Sequence, residues 1–134
     1  MIFVDSNIVI DLVEDGAWTE WSKSALSGAP GPMMANQIVV AEVARAFASA
    51  EAVVVFLTEL GINIDPLTPA IAYRAGHAHV GYRLAGGRQQ SVLADFLIGA
   101  HAATLGATLV TRDRRRFATY FPDLTLITPE THHG

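Results

Sequence analysis

The strongest constraint on this chain is a repeated local order. A short apolar run is followed by a helix-capping polar residue, and then by apolar residues at helical spacing. Ile2-Phe3-Val4 stops at Asp5-Ser6-Asn7, three residues of capping type, and Ile8, Val9, Leu12 and Val13 then recur at helical spacing. Met33-Met34-Ala35 leads into Asn36 as a cap, with a helix expected from Gln37 to Phe47. Ser49 caps another helix to Leu60, which Gly61 stops. Ile62-Asn63-Ile64 gives way to Thr68-Pro69, a cap with a first-turn proline, and a helix to Leu84 before Gly86-Gly87. Ser91 caps a helix from Val92 to about Leu105, ended by Gly106. Thr108 to Thr111 and Leu124 to Ile127 read as the last two strands. A further helix is expected over Ala17 to Leu26, carrying Trp18 and Trp21, before Ser27 to Pro32 breaks the chain. Parallel strands need crossover connections, and both faces of their sheet are then covered by helices. The order therefore predicts an α/β fold with a mainly parallel sheet. With no repeat and no low-complexity linker, residues 1–134 read as one domain.

In such a fold ligands bind outside the carboxyl ends of the strands, where strand order reverses. Asp5 follows the first strand, and Thr111-Arg112-Asp113 follows the fourth. Two more acids stand in apolar company. Asp95 is the only Asp, Glu, Lys or Arg from Ser91 to Thr111, on a helix apolar nearly all round. Such helices are buried, and an unpaired carboxylate there is costly. Its first-turn position also suits a helix N-terminus. Glu42 is the only acid in "QIVVAEVARAFASA", with Arg45 three residues on as a possible surface partner. Asp5 alone could be a simple cap, and Asp113 could pair with the arginines around it in a solvated loop. Asp11, Glu14, Asp15, Glu20, Glu51, Glu59, Asp123 and Glu130 read as solvated faces or turns. Carboxylates converging in one crevice repel unless a hard cation compensates, and Mg2+ or Mn2+ suits an all-oxygen site. Such a site can activate water for displacement at phosphorus.

Charge adds a second constraint. The formal net charge is −4 and the pI about 5.6, yet four of the nine basic residues fall within Arg112 to Arg116. That balance argues against a surface that coats nucleic acid generally, while allowing one basic edge. The absence of cysteine excludes disulfide scaffolds, thiolate zinc sites and thiol nucleophiles. "MIFVDSN" lacks a basic segment before a short apolar run, so it reads as neither signal peptide nor membrane span; a soluble cytoplasmic protein is expected. His77 and His79 are two apart on one helix and make a poor metal pair, and His101 reads as a packed or surface histidine.

"MIFVDSNIVIDL", the lone Glu in "VVAEVARAF", and "LADFLIGAHAATLGATLVTRDRRRF" together resemble a PIN-domain ribonuclease, most of all the VapC toxin of bacterial toxin–antitoxin pairs. The resemblance spans essentially the whole chain. It implies a three-layer α/β/α sandwich around a parallel sheet of four to five strands, the first and fourth adjacent. It implies Mg2+- or Mn2+-dependent endoribonuclease activity by activated water at Asp5, Glu42, Asp95 and Asp113. Asp5 and Asp95 would bind metal directly, Asp113 directly or through water, and Glu42 would hold water or act as base. Ser6, Asn7 and Thr111 would be supporting polar groups. Arg112, Arg114, Arg115, Arg116 and Arg88 would be candidate RNA-phosphate contacts, the run from Arg112 facing outward along the rim. Implied partners are a VapB-like antitoxin, an RNA substrate and a second copy in a homodimer, with no membrane. A rival phosphotransferase would use Asp5 as nucleophile, but has Asn7 where a paired Asp is usual. A receiver domain would need a late lysine, and the only lysine is Lys23. The non-enzymatic alternative is a catalytically silent PIN-like scaffold that binds RNA or a protein.

Overall fold

A computed structural model of the chain describes residues 1–87 and 93–132. Five strands alternate with seven α-helices among these residues. In order they are β1 (Ile2–Val4), α1 (Ser6–Val13), α2 (Thr19–Ser27), β2 (Met33–Ala35), α3 (Gln37–Val43), α4 (Ala50–Glu59), β3 (Ile62–Ile64), α5 (Pro69–Leu84), α6 (Leu93–Thr104), β4 (Thr108–Val110), α7 (Arg114–Tyr120) and β5 (Leu126–Ile127). The sheet order is β3-β2-β1-β4-β5 and every pairing is parallel. Helices flank the sheet, as in an α/β/α sandwich. β1 lies at the centre, and strand order reverses between it and β4. Ile2, Phe3 and Val4 pair there with Thr108, Leu109 and Val110.

The caps expected from sequence act as caps. The side chains of Asp5, Asn36, Ser49 and Thr68 accept backbone N–H bonds at the starts of α1, α3, α4 and α5. Gly61 and Gly106 carry φ of 79° and 65°, a backbone that lets α4 turn into β3 and α6 into β4. The cap assigned to Ser91, the start at Val92, and Arg88 lie outside the described residues.

Three expectations need correction. The helix from Asn36 does not reach Phe47: it ends at Val43, a 3-10 turn covers Ala44–Ala46, and Phe47 is extended. The last strand is two residues long, because Leu124 is held in a turn by a bond from its N–H to the Phe121 carbonyl. The arginine run is no loop. Asp113 caps α7 and Phe117 buries on its inner side, so Arg114 to Arg116 form its first turn.

β1 is buried throughout, and with Ile8, Val9, Val39, Leu57, Ile98 and Leu109 it forms the main core. α6 lies in the interior, as its all-round apolar sequence predicts: Phe96, Ile98, Gly99, Ala100, His101 and Ala102 are all buried. Gly99 is required by packing, since a Cβ there would run into the Phe121 ring. His101 is wholly buried and tied at both ring nitrogens, Nδ1 at 2.9 Å from Asn36 Nδ2 and Nε2 at 2.7 Å from Asp65 Oδ2. Asn36 Oδ1 already accepts from Ile38 and Val39, so its amide must donate to Nδ1, leaving Nε2–H to donate to Asp65. No helix among the described residues is long and apolar enough to cross a membrane.

Candidate functional site

At the carboxyl end of β1, Asp5 extends the ladder with an N–H bond to the Val110 carbonyl at 3.0 Å, which fixes its side chain over the β1/β4 switch point. It is 4% exposed. Asp5 Oδ1 accepts from Ser6 N–H at 2.8 Å, and Oδ2 accepts from the Thr111 hydroxyl at 2.7 Å. Thr111 Oγ1 in turn accepts the Asp113 N–H at 3.0 Å, so one hydroxyl joins two of the acids. From the opposite side Ser6 Oγ donates to Glu42 Oε1 at 2.8 Å, tying α1 to α3. Glu42 is exposed rather than packed, and the expected partner Arg45 bonds Glu14 instead, at 2.9 Å. Asp95 sits in the first turn of α6, its side chain 14% exposed.

Two of the four carboxylates, Asp5 and Asp95, are shifted by burial and by the acids near them. Burial pushes Asp5 from an ordinary carboxylate value of 3.8 up to about 6, and the charges of Asp95 and Glu42 add to that rise. Bonds from Thr111 and Ser6 oppose it. Burial likewise raises Asp95, assisted by Glu42 and Asp113 and opposed by Arg116. Acids from β1, α3, α6 and the β4–α7 connection therefore share one electrostatic site, although they lie far apart in sequence.

This geometry lies in a sequence that the PIN-domain family profile matches over residues 2–121. The chain belongs to the PIN-domain family. No curated relative matches it. Among solved structures, this PIN domain is similar to a toxin–antitoxin complex from Klebsiella pneumoniae, at 26% identity with TM-score 0.71, covering 96% of this chain and 98% of that one. VapBC2 from Rickettsia felis, bound to a DNA fragment from its promoter, matches at 21% identity with TM-score 0.70, over 96% and 98%. VapC20 of Mycobacterium tuberculosis, a sarcin-ricin-loop-cleaving toxin, matches at 20% identity with TM-score 0.63, over 81% and 85%.

The donors of this PIN domain are all oxygens, which suits a hard divalent cation. Their present positions do not close a cage: among the described residues no three acids or histidines are gathered to hold a metal. The cation found between acids is a guanidinium. Arg116 Nη1 lies 2.8 Å from Asp95 Oδ2, and its Nε lies 3.3 Å from Asp113 Oδ2.

That contact corrects the outward-facing arginine rim. Arg116 turns into the acidic site. Arg112 is turned inward as well, gripping Asp11 with two bonds of 2.8 and 3.1 Å. Asp11 is no solvated acid: it is 8% exposed and also accepts from Ser22 Oγ at 2.7 Å. Sequence offered little signal for it, since Asp11 sits on an amphipathic helix where a solvated acid is ordinary. Arg114 and Arg115 are exposed, as expected. Asn7 takes a structural part through a long bond from the Arg112 N–H to its Oδ1, 3.4 Å.

Proposed function

We propose that this PIN domain is a divalent-metal-dependent endoribonuclease, the toxin of a VapBC-type pair, acting in the cytosol and restrained by a VapB-like antitoxin. The observation that carries this reading is the upward shift of Asp5 and Asp95, through burial and then through the charges of neighbouring acids that include Glu42 and Asp113, at the β1/β4 switch point of a PIN fold. The toxin–antitoxin and VapBC assemblies among similar structures support the partner, and the sarcin-ricin-loop-cleaving toxin supports RNA as substrate. A second copy in a homodimer belongs to the same reading.

When bound, Mg2+ or Mn2+ supplies Lewis acidity at the phosphodiester and a water of lowered pKa. Asp5, Asp95 and Asp113 are the assigned ligands. Thr111 and the Ser6 N–H each bond one oxygen of Asp5 and would orient its carboxylate toward a bound cation. Glu42, exposed and bonded by Ser6, would hold or deprotonate the attacking water. Arg114 and Arg115, exposed on α7, are assigned to backbone phosphates, which position RNA without reading its sequence.

The test is cleavage of a structured and a single-stranded RNA by the purified chain. Cleavage is expected with Mn2+ or Mg2+ and not with excess chelator. It should fall about 100-fold or more in Asp95→Asn, the loss of several kcal/mol of metal stabilisation. An Asp95→Asn protein that cuts at the wild-type rate would remove the site from the reaction.

A further inference from the structure

We propose that Arg116 is a displaceable internal counter-ion, which occupies the carboxylate oxygens of Asp95 and Asp113 until a divalent metal expels it. This rests on the metal site assigned above, and extends it by naming what guards that site in the metal-free protein.

Three contacts converge on this residue. Arg116 Nη1 donates to Asp95 Oδ2 at 2.8 Å, and its Nε faces Asp113 Oδ2 at 3.3 Å. Its own backbone N–H donates to Asp113 Oδ1 at 3.3 Å. The first two lie on oxygens assigned to metal, and they come from two different chain segments, α6 and the cap of α7. A guanidinium is a planar fork that satisfies carboxylates on two sides, which a hydrated lysine ammonium does less well. A hard cation needs carboxylate lone pairs directly, so guanidinium and metal cannot both use the same oxygen at full strength. The helical position of Arg116 makes withdrawal cheap. Its backbone is fixed by the Asp113 cap, and the side chain, 38% exposed, needs only new rotamers. Beside it lies a groove of about 440 Å³ lined by Tyr82, Asp113, Arg115, Thr119 and Tyr120. That groove can receive the released guanidinium, next to Arg115, on the side where a polyanion would lie.

The arrangement has two consequences. Without metal, Arg116 relieves the repulsion among the acids and stabilises the fold. With metal, part of the binding free energy is spent in breaking its two contacts, so the measured affinity is lower than the carboxylates alone would give.

The experiment is a set of Mn2+ titrations by calorimetry on the whole chain, wild type against Arg116→Ala, Arg116→Lys, Arg115→Ala and Asp95→Asn. Each protein is first checked for native circular dichroism. Arg116→Ala is expected to bind Mn2+ about fivefold or more tightly, a coupling of ordinary size between linked sites. Its metal-free form should melt lower, and its melting point should rise further on adding metal. Arg115→Ala, which removes an equal charge next door but no contact to the acids, should change affinity much less. Arg116→Lys should fall between. In a parallel readout, the Arg116 Nε–H resonance of the wild type should move toward a solvent-exposed position as diamagnetic Mg2+ saturates the site. Unchanged or weaker Mn2+ binding in Arg116→Ala, or an equal gain in Arg115→Ala, overturns the proposal. So does an Arg116 Nε–H that stays bonded at saturating Mg2+. If Asp95→Asn abolishes binding while Arg116→Ala leaves it unchanged, the metal site stands and only the counter-ion fails. If Asp95→Asn binds as the wild type does, the metal site itself fails and takes the counter-ion with it.

Discussion

At the scale of one residue, Asp5 holds the sharpest conflict between folding and function. Its carboxyl is nearly buried and titrates at about 6 instead of 3.8, chiefly through burial. The folded chain therefore holds this proton more tightly than the unfolded chain. The stability this confers is fully present below about pH 4 and is lost as pH rises through 6, by an amount of about 3 kcal/mol. Asp5→Asn removes the charge and keeps an acceptor for Ser6 N–H. The metal-free variant should therefore be more stable than the wild type at pH 7.5, by about 1–3 kcal/mol, and its stability should vary less between pH 4 and pH 6. Urea denaturation across that range, in the presence of chelator, is the measurement. A variant less stable than wild type at pH 7.5 would mean that the Thr111 bond outweighs the cost of burying the charge.

At the scale of elements, the Asp11–Arg112 pair joins parts of the fold that share no backbone ladder. Asp11 is on α1, Ser22 on α2, and Arg112 in the connection from β4 to α7. Thr19 Oγ1 adds a bond to the Asp11 carbonyl at 2.7 Å, and the Arg112 guanidinium lies 5.6 Å from the centre of the Trp18 ring. Removing one partner of a buried pair leaves the other charge stranded. The stranded group differs between the two truncations: the Asp11 side chain is 9% exposed and that of Arg112 is 30%. Arg112→Ala should therefore cost more, about 3 kcal/mol, and Asp11→Ala less, about 2 kcal/mol after allowing for the solvent that reaches Arg112. Chemical denaturation midpoints with unchanged m-values would check both, and the reverse order would contradict this account.

At the scale of the molecule, the fold agrees with toxin–antitoxin structures over nearly the full length of both chains, so the test of the proposed role is cellular. Expression of this chain should arrest growth, co-expression of a small neighbouring partner should restore it, and Asp95→Asn should remove the arrest. No arrest from either form would favour a silent scaffold. The strand–helix alternation, four of the helix caps and the low exposure of Asp5 and Asp95 could be read from the sequence, because periodicity, capping and a lone charge in apolar company are signals within one element; the same signal misled at Glu42, which is exposed. The early end of α3 and the existence of α7 could not, since Phe47 and Arg114 to Arg116 suit more than one local conformation and packing makes the choice. The sequence by itself determined a parallel α/β domain with an acid after β1 and another after β4. Only the tertiary structure decided that Asp11 meets Arg112, 101 residues away, and that Thr111 meets Asp5, 106 residues away. It also decided that Arg116 turns in toward the acids while Arg114 and Arg115 remain exposed. The physical reason is that charge has no period. An arginine on a short helix turns toward whichever carboxylate the neighbouring element brings within reach, and the order of elements in space sets which one that is.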